Sequence, residues 1–334
     1  MPPSPICTDS RDILVVGGAG LVGSHLTELL LEAGATVTVI DNLSSGRRDN
    51  LDLTHSRLRF QEFEVGAPQL SDADSPLDRA VARADLVYHL ASPIGVARAH
   101  HRGFDTTERI LREGLQMVGT CLRHRRPLLY TSSSEIYGVG GTHPLGEEEI
   151  SGFGLQPRWG YGAAKMAVEH LVAGLWREHS IPTWIARFFN VVGPRQNPES
   201  GLVVSAFCQA ALAGKDLIVH GDGSDRRTFL HVEDAARALL AIPLSDPLRG
   251  QAVNVGGVEN ISIRELAELV ISLCGAGRIR YQPYEAAFGP GFAPVQDRRP
   301  KLDRLMNATG WRPQRTLEEA IQGCYATLRH PAPS

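Results

Sequence analysis

From Asp12 onward the chain alternates short β-branched runs with longer stretches of helical apolar spacing. The runs "ILVVGG", "TVTVID", "LRFQEF", "DLVYHLA", "PLLYTSS" and "TWIARFF" read as strands. Strands separated by helical segments predict an α/β fold in which a parallel sheet is covered by helices on both faces. Beyond Gly193 the pattern loosens into Pro- and Gly-containing connections, a strand-like "LIVHGDG", a short "AVNVGG" and the helix-like "SIRELAELVISLCG". This predicts a first domain over 12–193, with a strand and helix returning to it from about 228–258, and a smaller lobe drawn mainly from 194–330. No Gly/Ser-rich linker separates the two, and no internal repeat is visible.

Length and composition narrow the possibilities only slightly. A chain of 334 residues, 43% of them hydrophobic, can fill a sizeable core. With a formal charge of −3 and no long basic block, it lacks the electrostatic footprint of a nucleic-acid or membrane-surface protein, although a local arginine cluster remains compatible with a small anionic ligand. The five cysteines are Cys7, Cys121, Cys208, Cys274 and Cys324; they are scattered and never form CxxC, which predicts neither a disulfide framework nor a zinc knuckle and fits a reducing cytoplasm. No leader-like opening and no membrane-length apolar run are present. His100 and His101 are adjacent but have no spaced partner, so they read as loop histidines rather than metal ligands.

The first chemical signal is "GGAGLVGSHLTELLLEAG", which follows the first strand and opens a helix. Gly17, Gly20 and Gly23 allow a tight turn, close approach of backbone amides to a pyrophosphate, and close helix–strand packing, while the helix N-terminus supplies partial positive charge. The second strand ends in Asp41, where a carboxylate can bind ribose hydroxyls and would repel the extra phosphate of NADP. The second signal is Tyr161 and Lys165 in "YGAAKMAVEH", four residues apart and so on one helix face. Such spacing alone also describes a packed tyrosine beside a surface lysine.

Taken together these motifs resemble the extended short-chain dehydrogenase/reductases, the family of nucleotide-sugar epimerases, dehydratases and decarboxylases. The resemblance runs from "ILVVGGAGLVGSHL" through "HLAS", "TSSSEIYG", the Tyr161 and Lys165 pair, "RFFNVVGPRQ" and "GDGSDRRTFLHVEDAARAL" to "GWRPQRTLEEAI". It implies a doubly wound parallel Rossmann sheet that binds NAD and a smaller mixed α/β lobe that binds a nucleotide sugar. The implied cofactor contacts are Gly17, Gly20, Leu21, Val22, Gly23, Asp41, Asn42, Leu90, Ala91, Ser92, Tyr161 and Lys165, with Glu64 standing where the family usually has an aspartate near the adenine. By the same resemblance Tyr161 takes a hydroxyl proton while NAD removes hydride. A free tyrosine titrates near ~10, so Lys165 and the positive nicotinamide are expected to favour the phenolate. Ser133 would orient the same substrate oxygen.

Neighbouring residues sort the possible reactions. Dehydratases of the family usually carry an aspartate that protonates a leaving hydroxyl; Ser134 stands in that place. Ser133, Ser134 and Glu135 are similar to the Thr-Ser-Glu of UDP-glucuronate decarboxylases. Arg158 precedes Tyr161 by three residues and Arg298 lies in "VQDRRPKLD", both as in those decarboxylases, although Lys301 replaces a usual aspartate. A guanidinium suits a carboxylate or an enolate, and a plain salt bridge would explain either arginine as well. Asn190, Arg195 and Arg227 resemble substrate-diphosphate positions. The resemblance therefore implies decarboxylation of UDP-glucuronate or a related nucleotide-uronic acid, with catalytic Tyr161, Lys165, Ser133, Glu135 and Arg298; a 4-epimerase is the alternative, and a 4,6-dehydratase comes after it. Family members commonly pair the Tyr161 helix in a dimer, and the apolar stripe of Ala164, Val168, Leu171, Val172 and Leu175 suggests a homodimer, although core packing explains the stripe too.

Overall fold

The first strand, β1 (Asp12–Val16), divides its side chains between two cores: Ile13 and Val15 join one, Leu14 and Val16 the other. That division follows from the two-residue period of a strand and requires helices on both sides of the sheet. In the computed structural model, which describes residues 11–67, 74–93, 102–138, 143–149, 152–289, 292 and 294–329, both sides are covered. Strands β1, β2 (Thr36–Asp41), β3 (Leu58–Glu62), β4 (Leu86–His89), β5 (Leu128–Ser133) and β6 (Thr183–Phe188) form a parallel sheet with a seventh strand, Ala252–Val255. The order is Ala252–Val255, β6, β5, β4, β1, β2, β3. Winding reverses between β1 and β4, which leaves a crevice at their carboxyl ends.

On one face helix α1 (Leu21–Glu32) packs Leu26 and Leu30 against Val15, Val37 and Val39. On the other, α2 (Pro76–Arg83), α3 (Gly103–His124) and α4 (Trp159–His179) cover Leu14, Ile40, Val87 and Tyr130. The apolar stripe of α4 is largely consumed here: Ala164, Val168, Val172 and Leu175 are core residues, and Leu171 alone of the five is exposed. The smaller lobe has its own core, including Phe207, Leu266, Val270 and Ile321. It carries a sheet ordered Asn260–Ser262, Arg226–Thr228, Asp297–Arg298, and a pair formed by Leu217–His220 and Ile279–Gln282. The late segment does not stay in that lobe. Leu305 and Trp311 return to the first core, with the Trp311 indole donating to the Asp234 carbonyl at 3.1 Å.

Helices α3 and α4 meet at Gly114, where an added Cβ would stand 2.4 Å from Val168 Cγ2. Val168 is β-branched and stiff in a helix, so it cannot swing aside cheaply. Gly114→Ala should therefore destabilise the fold by about 1–3 kcal/mol through overpacking. Urea denaturation checks this, and an unchanged midpoint would contradict the packing described.

Candidate functional site

The turn after β1 excludes side chains physically. Gly17 has φ +84°, and a Cβ on it would lie 2.6 Å from the Ala91 amide nitrogen; a Cβ on Gly23 would lie 2.1 Å from the Gly17 carbonyl oxygen. The result is a bare backbone cradle facing the crevice, with the N-terminus of α1 beside it. Asp41 closes the cradle by accepting from the Ala19 amide at 3.0 Å and from the Leu43 amide at 2.8 Å. Burial raises its carboxyl above the ordinary aspartate range, against the pull of those two amides. A glycine cradle, a helix N-terminus and a buried acid at the end of β2 are the donor set that a dinucleotide requires.

A cavity of about 300 Å³ runs from this cradle to the carboxyl ends of β4 and β5. It brings together most of the residues expected from sequence: Gly17, Gly20, Leu21, Val22, Gly23, Asp41, Asn42, Leu90, Ala91, Ser92, Ser133, Ser134, Glu135, Arg158, Tyr161, Lys165 and Asn190. Four expected residues are not on its walls. Arg298 stands directly behind Glu135. Arg227 is paired in register with Arg298 and donates to the Val295 carbonyl at 2.7 Å. Glu64 points outward, 3.7 Å from Arg109, while its neighbours Phe63 and Val65 face in. Arg195 sits at positive φ, its guanidinium on Glu28 of α1 and its amide on Thr327. His100 and His101 lie outside the described residues.

Tyr161 and Lys165 sit where α4 packs on β5. Tyr161, Ser92 and Ser133 line the same part of the cavity. Lys165 is buried, donates to the Thr131 carbonyl at 2.9 Å and lies 4.7 Å from the Tyr130 ring centroid. In the protein's own field the phenol is not lowered as expected from its lysine neighbour: burial pushes Tyr161 up to about 12, with Ser92 and Ser133 opposing. Burial also brings Lys165 down to about 8, with the carboxylates of Glu113 and Glu169 resisting. His89, buried near the same lysine, is pushed down to about 3 and is neutral.

Glu135 collects the two arginines. Its carboxylate pairs with Arg158 at 3.4 Å and with Arg298, which also donates to the Gly138 carbonyl at 2.6 Å. Burial alone would raise Glu135; the charges of Arg298 and Arg158 override it and hold the carboxyl below the ordinary range. Three separate segments meet here: the turn after β5, the start of α4 and the Asp297–Arg298 strand. Behind them, Arg187 of β6 grips Glu169 of α4 at 3.0 and 2.6 Å, and donates to the Tyr137 hydroxyl at 3.1 Å and the Glu147 carbonyl at 2.7 Å. Tyr137 donates in turn to Asn254 at 2.7 Å.

Sequence reasoning missed Arg109 and Glu113, both on the cavity wall and bonded Nε to Oε1 at 2.6 Å. Their spacing of four is the ordinary signature of an exposed helix pair, so pattern alone gave no signal of burial. Arg187 was read only as part of a strand motif.

The chain is similar to several known proteins. Residues 13–256 match the model of the NAD dependent epimerase/dehydratase family. A UDP-N-acetyl-alpha-D-glucosaminuronate decarboxylase of Bacillus cytotoxicus is 30% identical over 92% of this chain and 95% of its own. UDP-glucuronic acid decarboxylase 1 of Danio rerio is 33% identical over 94% of this chain and 71% of its own. Among solved structures, an epimerase of Methanothermobacter thermautotrophicus superposes with a TM-score of 0.87 at 26% identity, covering 97% of this chain and 94% of that one.

Removing Arg298 leaves Glu135 buried with one cation fewer. Arg298→Met should cost about 3–5 kcal/mol near neutral pH. Because the arginines depress the Glu135 carboxyl, their contribution is present above the ordinary glutamate range and is lost as pH falls through the folded-state value. The cost should therefore shrink in acid, and urea titrations at the two pH values check it; an equal loss at both would contradict the pairing.

Proposed function

The chain belongs to the NAD dependent epimerase/dehydratase family, and on that premise we propose that it is an NAD-dependent decarboxylase of UDP-glucuronate or a related nucleotide-uronic acid. The observation that carries this reading is Glu135 between two guanidiniums. Two cations share one carboxylate at the cavity's end, which leaves a positive surplus for an acidic sugar. Decarboxylases at 30–33% identity over more than nine-tenths of the chain support the same choice over a 4-epimerase.

Gly17, Gly20, Gly23 and Asp41 would hold NAD, which when bound supplies a hydride acceptor and a positive ring beside Tyr161. Tyr161 takes the proton of the sugar's 4-hydroxyl, with Ser133 orienting that oxygen and Lys165 contributing an ammonium. Once position 4 is a ketone, the carboxylate is β to a carbonyl. The bond to the carboxyl carbon then breaks with its electrons delocalised onto the keto oxygen, releasing carbon dioxide. Arg158, on the cavity wall, orients the acid and stabilises developing negative charge, with Arg298 adding its charge from behind Glu135. Glu135, held ionised, aligns their planar forks rather than donating a proton. Asn190, on the cavity wall, would face the nucleotide diphosphate. A proton delivered to the carbon that lost the carboxylate, hydride returned to position 4 and the Tyr161 proton returned to its oxygen would complete the change of a UDP-uronate and one proton to a UDP-pentose and carbon dioxide.

Two further parts of the reading concern the protein's setting. Helices α3 and α4 each leave an apolar residue outward, Leu115 and Leu171, which supports a homodimer through this face. Unbridged thiols at Cys121, Cys208, Cys274 and Cys324 fit a reducing cytoplasm. Among the described residues no helix is long and apolar enough to cross a membrane.

UDP-glucuronate labelled at the carboxyl carbon should yield labelled carbon dioxide. Retention of the label with UDP-galacturonate appearing would make the enzyme an epimerase instead. Tyr161→Phe should lower turnover by roughly 10²–10⁴-fold with the fold intact; undiminished turnover would remove Tyr161 from the mechanism. Leu115→Glu combined with Leu171→Glu should shift the sedimentation coefficient to that of a monomer, and a coefficient unchanged from the parent would discard the dimer face.

A further inference from the structure

A lysine buried without a nearby anion loses its charge, because desolvation favours the neutral amine. Lys165 has only 2% of its surface exposed. The charged and titratable groups around it come from five elements. On α4 are Tyr161 and Glu169, and Arg187 of β6 already grips Glu169 through both carboxylate oxygens. On β5 are Tyr130 and the Thr131 carbonyl, and on β4 is the neutral His89. On α3 are Glu113 and Arg109, with Glu64 beyond Arg109 at the surface.

Glu113 is the carboxylate on the cavity side of this group. Its side chain is 4% exposed, and it lines the same cavity as Lys165 and Tyr161. The next residue on its helix, Gly114, packs on Val168, one turn from Lys165, so the close approach of the two helices lies beside both side chains. Arg109 fixes one Glu113 oxygen at 2.6 Å but is itself partly exposed, so solvent weakens its claim on that charge.

We propose that Glu113 is the residue that keeps Lys165 protonated inside the site, a positioning carboxylate acting through the lysine. It rests on the proposed function only in requiring an ammonium at Lys165. Removing a neighbouring negative charge lowers the lysine's titration midpoint, so the ammonium disappears at lower pH. Activity that needs the ammonium then fails at lower pH as well.

The chain contains three lysines, Lys165, Lys215 and Lys301, and the last two are exposed. Protein labelled with carbon-13 at the lysine ε-carbon therefore gives three signals, of which the one lost in Lys165→Arg reports the buried site. In Glu113→Gln the Lys165 midpoint should fall by roughly one pH unit while the other two stay in place. The alkaline limb of the pH–rate profile should move with it. Glu113→Leu serves the same purpose should the amide variant not fold, and Glu113→Asp should restore most of the midpoint. A Lys165 midpoint equal to wild type in the charge-free variant overturns the proposal whatever the substrate. Absence of carbon dioxide from the wild-type enzyme, by contrast, would count against the decarboxylase reading and leave the lysine titration intact as its own test.

Discussion

Opposite charges buried against one another at the carboxyl edge of the sheet hold the site together. Glu135 can be half-buried because Arg158 and Arg298 come to it, and each arginine can be buried because Glu135 is there. Breaking either contact leaves an uncompensated charge in a low-dielectric region, which is far more costly than losing an exposed pair. The same logic repeats one layer deeper, where Arg187 binds Glu169 and reaches Tyr137 and the Glu147 carbonyl. Packing brings the elements near one another; these ion pairs fix how they face.

That arrangement gives the two ends of the cavity different characters. At the cradle the lining is backbone: glycines that leave no room for a Cβ, and an aspartate occupied with the amides of Ala19 and Leu43. At the far end the side chains are charged, with two guanidiniums on the one carboxylate of Glu135. Between them Tyr161 is raised by burial and Lys165 lowered by it, so the gap between the two protonation equilibria is set largely by dehydration. A cationic group arriving beside the phenol acts on an oxygen that the protein alone holds protonated.

The sheet and its helices were legible because period and length there follow directly from burial on two faces. Gly17, Gly23 and Asp41 were legible for a related reason: a tight turn between strand and helix admits few residues, so sequence and geometry are tightly coupled. Arg298 could be matched through a motif, but its meeting with Glu135 joins residues 163 apart in the chain, which no local pattern encodes. Glu113 and Arg109 escaped because their spacing is that of any solvated helix pair. The α4 stripe was open to two readings, core or dimer face: four of its five residues face the sheet and α3, and Leu171 is left outside.

The Asn254 carboxamide closes this assembly from an unexpected part of the chain. It accepts from Tyr137 and donates to the carbonyls of Leu145 and Lys301, while Arg298 arrives only a few residues before Lys301. During synthesis, therefore, a nascent chain has its glycine cradle, tyrosine and lysine long before the pieces that organise the Glu135 end of the cavity emerge from the ribosome. Early segments can collapse into a sheet, but competence for chemistry waits on the final stretch of polypeptide.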